Sequence, residues 1–180
     1  LDHRDTRALV GQLAPGRHVL NLFCYTGSFS VYAAKAGASA TTSVDLSKTY
    51  LDWAARNFTL NGVDLNRNRL VQTDAMRFLA LGRASVERYD LIVLDPPSFS
   101  NSKRMQGVLD VQRDHVALIR DCVGLLARGG ELLFSTNLRN FRLDAAALQD
   151  IAMEEISERT VPPDFRNRRI HKCWRIAVKP

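Results

Sequence analysis

The chain has 180 residues, of which 46% are hydrophobic and 24% charged, a composition typical of a globular domain with a buried core. No apolar run approaches the roughly 20 residues of a membrane-spanning helix and no signal peptide opens the chain, so a membrane protein is not expected. The net charge of +6 favours a polyanionic partner but does not identify one. Three cysteines without a CxxC pair argue against a metal site and indicate a reducing compartment, which we expect to be the cytoplasm.

Short apolar segments alternate with amphipathic segments along the chain. The opening LDHRDTRALVGQL is already patterned like a helix, so we expect one domain over residues 1–180 that belongs to a longer protein. Apolar runs predict strands at 18–23, 40–45, 68–74, 89–95 and 131–136. Helical spacing predicts helices at 28–37, 47–62, 74–83 and 111–130, with Gly37, Gly62 and Gly129 at their ends.

The last 40 residues predict a different arrangement. A helix is expected around 144–156, followed by two strands in SERTVP (157–162) and CWRIAVK (173–179). The closeness of these two strands suggests a hairpin-like end rather than another crossover. Strands that alternate with helices predict an α/β fold with a doubly wound, mostly parallel sheet.

Three acidic residues follow three of the predicted strands: Asp45, Asp74 and Asp95. In doubly wound folds, ligands bind beyond the carboxyl ends of the strands. Asp45 follows Gly27 at nearly the spacing at which a carboxylate meets a ribose hydroxyl. Each Asp could instead only cap a helix, and Asp74 before AMRFL is the strongest case for that alternative.

The turn NLFCYTG (21–27) indicates which nucleoside is bound. A pyrophosphate cofactor would need the GxGxxG pattern or a P-loop, and the sequence has neither. S-adenosylmethionine, a nucleoside without a pyrophosphate, fits this turn. Its ribose is expected at Asp45, its adenine near Leu46 and the Asp74–Ala75 turn, and its methionine end along 21–27.

The segment LDPPSF (94–99) closes the fourth predicted strand. Pro96 and Pro97 fix the backbone and remove two N–H donors, while Asp95 could accept hydrogen bonds from the N–H groups of a base. Phe99 could stack on a flipped base. A rigid loop with a buried Phe is the alternative.

Several segments together resemble a known family: VLNLFCYTGSFSVYAAKAGA, TSVDLSKTYLDWAARNFTLNG, LDPPSFSNSKRM, DVQRDH and RNRRIHKCW. They resemble class I S-adenosylmethionine-dependent RNA methyltransferases, and in particular the nitrogen-7 guanine half of the bacterial bifunctional 23S ribosomal RNA guanine methyltransferases. The resemblance implies a Rossmann-like, seven-stranded sheet with an antiparallel last strand. It also implies a preceding half that binds RNA and methylates guanine N2.

The same resemblance implies a set of cofactor contacts in the first 95 residues. They are Asp2, Arg4, Asn21, Phe23, Tyr25, Gly27, Asp45, Asp74 and Asp95. Many methyltransferases have an acid where this chain has Asn21, so Asn21 would bond the methionine end without supplying charge.

The methylated atom is only partly constrained by the residues. Methylation at cytosine carbon 5 needs a cysteine nucleophile after the fifth strand, but FSTNLRNF contains none and Cys24 lies in the cofactor turn. Exocyclic amino groups and guanine nitrogen 7 both stay open on chemical grounds, and the resemblance favours nitrogen 7. A module that binds RNA without catalysis is the alternative from another class.

Basic residues cluster in three segments after residue 98, and we expect them to contact ribosomal RNA. They are Lys103, Arg104, Arg113, Arg139, Arg142, Arg166, Arg168, Arg169 and Lys172. Phe141 and Phe165 lie among them and could stack on bases. A solvated charged face is the alternative, and His115 and His171 are interpreted as hydrogen-bonded structural residues.

Overall fold

The computed structural model describes residues 2–101, 107–167 and 169–178. Their strands are β1 (His18–Leu22), β2 (Ala40–Asp45), β3 (Asn68–Gln72), β4 (Tyr89–Leu94), β5 (Phe99–Ser100), β6 (Leu109–Asp110), β7 (Leu126–Thr136), β8 (Ile151–Glu155) and β9 (Lys172–Val178). Their helices are α1 (Arg4–Leu13), α2 (Ser28–Lys35), α3 (Lys48–Leu60), α4 (Ala75–Gly82), α5 (Val111–Gly124) and α6 (Ser157–Thr160). Among these residues no helix is both long and apolar enough to cross a bilayer.

Seven strands form one sheet in the order β3-β2-β1-β4-β7-β9-β8. The pairs from β3 to β7 are parallel, whereas β9 is antiparallel to both β7 and β8. The predicted doubly wound, mostly parallel sheet with an antiparallel last strand is confirmed. The register pairs Leu22 with both Val44 and Leu94, so β1, β2 and β4 end at one edge.

The core lies in two layers, one on each face of the sheet. Side chains alternate along β4, so Leu91 and Val93 belong to one layer while Ile92 and Leu94 belong to the other. The first layer packs against α1 and α2, and the second against α4 and α5. A strand buried on both faces must be apolar throughout, which explains the continuous run LIVL.

The helix predicted around 144–156 is wrong. Residues 151–155 form β8, which pairs with β9, and buried Ile151 and half-buried Met153 alternate toward the core. Alanine, leucine and glutamate favour helices in isolation, but the free edge of β9 makes pairing more favourable there.

The strand predicted in SERTVP is also wrong, because residues 157–160 form the short helix α6. Ser157 stabilises this turn since its hydroxyl donates to Glu155 and accepts from the backbone N–H of Cys173. The hairpin-like end is therefore made by β8 and β9, with α6 in the connection.

The helix predicted to 130 ends earlier, at Gly124. The chain then enters β7 at Leu126, and Gly129 lies inside that strand with φ 74°. A second, two-stranded sheet joins β5 to β6 next to the end of β4. It positions Asp110, whose carboxylate caps α5 by accepting from the backbone N–H of Gln112.

Replacing Gly27 by Ala is expected to destabilise the fold. Gly27 has φ +72°, and an added Cβ would lie 2.9 Å from the Cβ of Ala54 and 3.1 Å from Phe58. We expect the free energy of unfolding to fall by about 2–4 kcal/mol, from backbone strain and overpacking together. Gly62→Ala is the control because Gly62 has φ +63° with no neighbour within 4 Å, so only about 1–2 kcal/mol is expected. Urea denaturation measures both values, and equal losses would contradict the close approach of α2 and α3.

Candidate active site

A cleft of about 570 Å³ lies at the carboxyl edge of the parallel strands. Its lining consists of Asp2, His3, Phe23, Tyr25, Asp45, Leu46, Ser47, Tyr50, Asp74, Ala75, Asp95, Pro96, Pro97, Ser100 and Asn137. The order of the strands in the sheet determines the order of these residues along the cleft, and neighbouring strands are about 4.8 Å apart. Asp45 ends β2, while Asp74, Phe23, Asp95 and Asn137 follow β3, β1, β4 and β7, so the order across the cleft is Asp74, Asp45, Phe23, Asp95 and Asn137.

The turn between β1 and α2 is strained. Phe23 and Tyr25 have φ values of 56° and 50°, in the left-handed region that side chains other than Gly rarely adopt. Each such residue stores on the order of 1–3 kcal/mol and persists only when its surroundings hold it. Here the Cys24 N–H donates to the Val44 carbonyl at 3.0 Å, and the Tyr25 N–H donates to Asp45 at 3.0 Å. The turn is therefore shaped by β2 rather than by its own sequence preferences.

Asp45 connects two turns of the cleft. Oδ2 accepts from Tyr25, and Oδ1 accepts from the Ser47 N–H at 2.8 Å. Burial raises the pKa of Asp45, and the backbone donors oppose that rise. Each oxygen has a second lone pair, so the carboxylate could accept two hydroxyl groups of a ribose.

Asp74 has the capping role that the sequence left open. Its side chain accepts from the Arg77 N–H at 3.1 Å, which caps α4. It also lines the cleft next to buried Ala75. The two roles are compatible because capping uses one oxygen of the carboxylate.

The loop after β4 holds Asp95 between two elements. Its Oδ1 accepts from the Ser135 hydroxyl at 2.6 Å, while Oδ2 lies 3.6 Å from Nε2 of His3. Pro96 and Pro97 line the cleft, and the Ser98 hydroxyl donates to Oδ1 of Asn137 at 2.7 Å. Two hydrogen bonds thus tie this loop to the end of β7.

Phe99 is 60% exposed and lies outside the cleft lining. The alternative of a buried Phe is therefore wrong. Its stacking on a base stays a prediction, since the ring is accessible from solvent.

His3, His171 and Asp2 form a cluster that reaches Asp95 through His3. The rings of His3 and His171 stack with centroids 4.3 Å apart at an interplanar angle of 16°. Asp2 Oδ2 lies 3.6 Å from Nδ1 of His171 and 3.8 Å from Nε2 of His3. His171 lowers the pKa of Asp2, while burial lowers the pKa of His3. Because the rings are stacked, their in-plane lone pairs lie in two separate and nearly parallel planes, so coordination of one ion by both rings would require a ring to rotate.

Three residues expected at the cofactor lie outside the cleft lining. Arg4 pairs with Asp164 at 2.6 Å on the surface. Asn21 is 1% exposed and donates to the Ser30 hydroxyl at 2.9 Å. Gly27 faces α3 instead. Their cofactor contacts stay predictions, and Gly27 has a separate structural reason to be glycine.

Five lining residues were missed from the sequence: His3, Ser47, Tyr50, Ser100 and Asn137. Asn137 directly follows β7, so the strand-end rule that selected the acids could have found it if amides had been considered. His3 precedes α1 and is brought to the cleft by tertiary packing, whereas Tyr50 lies in the first turn of α3, shortly after β2 ends.

The basic residues expected to contact RNA have different surroundings. Lys103, Arg104 and Arg168 lie outside the described residues. Arg139, Arg142, Arg166 and Arg169 are exposed. Arg113 pairs with Asp114 at 2.7 Å, and the Lys172 ammonium donates to the Phe141 carbonyl at 2.9 Å.

Base stacking by Phe141 is contradicted, because the side chain is 1% exposed and packs in the core against Phe134 and Trp174. Phe165 is half-buried. The charged residues next to Phe141 in the sequence suggested a surface position, although its side chain belongs to the core.

His115 is confirmed as a structural residue. Its Nδ1 lies 2.9 Å from the Gln112 carbonyl, and Nε2 accepts from the Asp144 N–H at 3.0 Å. His171 likewise contacts the Thr160 hydroxyl at 3.0 Å. Burial raises the pKa of Cys24 far above its usual range, so this thiol is not an activated nucleophile.

Comparisons with known proteins agree with this geometry. A family model of S-adenosylmethionine-dependent methyltransferases matches residues 1–171. Ribosomal RNA large subunit methyltransferase K of Neisseria meningitidis serogroup B is 55% identical over 99% of this chain and 51% of its own length. Ribosomal RNA large subunit methyltransferase K/L of Allochromatium vinosum is 54% identical over 97% of this chain and 24% of its own length. The chain thus spans about half of the first relative and about a quarter of the second.

Two solved structures are similar over nearly the whole chain. A protein described as an S-adenosylmethionine-dependent methyltransferase from Streptococcus mutans has a TM-score of 0.85 and 31% identity, over 99% of this chain and 49% of its own. A second structure, described as a methyltransferase complexed with SAH, has a TM-score of 0.82 and 30% identity, over 99% of this chain and 50% of its own.

The fold, the acid-lined cleft at the carboxyl edge and the family match over residues 1–171 lead to one conclusion. The chain belongs to the S-adenosylmethionine-dependent methyltransferases of class I, enzymes whose methyl donor is S-adenosylmethionine.

Proposed function

We propose that the chain transfers the methyl group of S-adenosylmethionine to nitrogen 7 of a guanine in 23S ribosomal RNA. The observation that supports the proposal is the cleft itself, in which Asp45 lies on one side and Asp95 and Asn137 lie on the other. The first side suits a nucleoside and the second suits a base. The names of the relatives, which are ribosomal RNA large subunit methyltransferases, support the substrate class. We further propose a partner half in the same protein, since relatives extend well beyond the matched region, and a cytoplasmic location.

The cofactor would lie along the strand edge. Asp45 would accept from the ribose hydroxyls, and Leu46, Asp74 and Ala75 would surround the adenine. The turn with Phe23 and Tyr25 would lead the methionine portion from β2 toward β4. The sulfonium and ammonium groups are cationic, so the four carboxylates of the cleft lining suit this ligand as negatively charged acceptors.

Asp95 and Asn137 would recognise the base by a complementary pattern. Guanine has N–H donors at positions 1 and 2 and an acceptor at O6, whereas adenine has an acceptor at position 1 and a donor at position 6. The Asp95 carboxylate would accept from the donors. The Asn137 amide would donate to O6, because its Oδ1 is already used by Ser98. Pro96 and Pro97 add no N–H that would compete for these positions.

The proposed transfer needs positioning rather than a base. Nitrogen 7 has an in-plane lone pair and no proton to lose, so the reaction requires that the lone pair, the methyl carbon and the sulfur be in line. Such placement can lower a barrier by several kcal/mol. The hydrogen bonds from Ser135 to Asp95 and from Ser98 to Asn137 hold the two proposed recognition groups in place.

Methylation of an exocyclic amino group of RNA is the second candidate. It is favoured by Oδ2 of Asp95, which faces His3 at 3.6 Å, beyond hydrogen-bond length, and could accept an amino proton. A non-catalytic RNA-binding module is less well supported, because it would have no use for the acids along the cofactor edge. The exposed residues Arg139, Arg142, Arg166 and Arg169 are proposed phosphate contacts, with Lys103, Arg104, Arg113, Arg168 and Lys172 as the further predicted ones.

The proposed product is tested directly. Labelled S-adenosylmethionine and unmodified 23S ribosomal RNA are expected to give 7-methylguanosine after digestion to nucleosides and mass identification. A product methylated at N2 of guanine or N6 of adenine would support the second candidate. Absence of any methylated nucleoside while S-adenosylhomocysteine still binds would indicate that transfer requires the proposed partner half. Absence of both transfer and cofactor binding would favour the binding module.

Asp45→Asn is expected to weaken S-adenosylhomocysteine binding by at least about 1 kcal/mol, because a charged acceptor for the ribose is lost. Isothermal titration calorimetry measures the dissociation constant. Asp52→Asn is the matched control, since Asp52 is exposed on α3 and pairs only with Lys48 among the contacts of the described residues. An unchanged dissociation constant for Asp45→Asn would remove Asp45 from the site.

Asn137→Ala is expected to lower kcat/KM for RNA by up to about tenfold, the value of one hydrogen bond to the base. Affinity for S-adenosylhomocysteine should change less than about twofold, because Asn137 follows β7 and lies away from Asp45. Asn140→Ala is the control, since Asn140 is exposed in the same segment and does not line the cleft. Equal kinetics of the two variants would argue against base recognition by Asn137.

A further inference from the structure

His3 is held on several sides at the end of the cleft that contains Asp95. Its ring stacks on His171 and contacts the edge of Phe29 with centroids 5.7 Å apart. Its Nδ1 lies 3.2 Å from the hydroxyl of Thr6, which is 1% exposed. Only 9% of His3 is exposed, so the ring has little freedom to turn.

The remaining ring nitrogen faces two carboxylates. Nε2 lies 3.6 Å from Oδ2 of Asp95 and 3.8 Å from Oδ2 of Asp2. If the Thr6 hydroxyl donates to Nδ1, the ring proton is on Nε2 and points toward both acids. Since Oδ1 of Asp95 is fixed by Ser135, His3 is the group that faces the second oxygen.

We propose that His3 is a positioning residue that orients Asp2 and Asp95 toward the cationic end of S-adenosylmethionine, and that its neutral form is required for tight cofactor binding. The inference rests on the cofactor site of the proposed function but not on the RNA substrate. A neutral ring can orient both carboxylates without cancelling their charge. A protonated ring would add a positive charge beside the sulfonium.

The charges around His3 determine whether cofactor affinity rises or falls as the pH drops. Asp2 and Asp95 favour its protonation, whereas burial, His171 and Arg7 oppose it, and burial is the largest influence, so the pKa of His3 lies below its ordinary value. A cationic ligand binds better to the neutral form. Affinity should therefore reach a plateau at neutral pH and fall as pH drops through the pKa of His3 in the free protein. The limiting slope for one proton is tenfold per pH unit.

Two substitutions separate the functions of the ring. His3→Gln keeps an N–H donor but does not titrate, whereas His3→Phe keeps an aromatic ring against His171 without donor or charge. At pH 7.5, His3→Gln is expected to bind S-adenosylmethionine within about threefold of the unsubstituted protein, and His3→Phe about tenfold more weakly. Neither variant should retain the steep loss of affinity at low pH.

The experiment is calorimetric titration of the protein with S-adenosylmethionine between pH 5 and 8, without RNA, with a circular dichroism melt at each pH. His18→Gln is the matched control, because His18 is half-buried at the opposite end of β1 beside Glu87 and should retain the pH profile. A parallel titration with S-adenosylhomocysteine, which lacks the sulfonium charge, should show a smaller loss at low pH.

The inference is overturned if His3→Gln keeps the pH profile of the unsubstituted protein, or if His3→Phe binds as tightly as that protein at pH 7.5. Should His3→Phe fail to fold, the pH profile of His3→Gln decides alone. The proposed RNA product is tested separately, so a different methylated nucleoside would leave this result intact. If the unsubstituted protein did not bind the cofactor at any pH, both the role of His3 and the proposed methyl transfer would lose their basis.

Discussion

The cleft depends on the hydrogen bonds that Asp45 accepts from two backbone turns. One bond holds Tyr25 in the left-handed region after β1, and the other holds Ser47 at the start of α3. Without Asp45 the strained turn would keep the hydrogen bond from Cys24 to the Val44 carbonyl but lose the one at Tyr25, and Phe23 and Tyr25 have no intrinsic preference for positive φ. The residue proposed to bind the ribose is therefore also the residue that shapes the turn beside it. This double role explains why burial of Asp45 is tolerated although it raises the pKa of the carboxyl group.

Strand order separates two chemistries along one edge of the sheet. Asp74 and Asp45 lie at the carboxyl ends of the strands on one side of β1, while Asp95 and Asn137 lie at the ends of those on the other. Carboxylates are therefore present at both ends, and among the strand-end carboxylates of the described residues the one that follows β4 is faced by a histidine, His3. A cofactor whose ribose is neutral and whose sulfonium is cationic matches this asymmetry. The charge near the transferred methyl group could then be adjusted without disturbing the ribose contacts.

The sequence predicts the strand-end part of the site well, because parallel strands must bring their carboxyl ends to one edge. Asp45, Asp74 and Asp95 could be placed there from the alternation of strands and helices alone. His3 could not, since it reaches the cleft through stacking on His171, a contact between opposite ends of the chain. The errors at β8 and α6 have a related cause. Helix propensity is a local property, whereas the partner that β8 finds in β9 is separated from it by α6 and a loop.

The restraints on Asp95 and Asn137 bear on the kind of catalysis that the cleft can support. Each side chain is bonded to a hydroxyl of another element, and two prolines stiffen the backbone between Asp95 and Ser98. Cys24, which lies in the turn between β1 and α2, is buried with a raised pKa, so it does not provide an activated thiol for covalent addition to a base. Asp95 is a rigid acceptor and Asn137 a rigid donor, and neither is a nucleophile. They suit a reaction in which a lone pair of the substrate has only to be aligned with the methyl group. Among the proposed reactions, methylation of nitrogen 7 requires Asp95 only to hold the base, which is the role that its hydrogen bond from Ser135 favours, whereas methylation of an amino group requires it also to accept a proton.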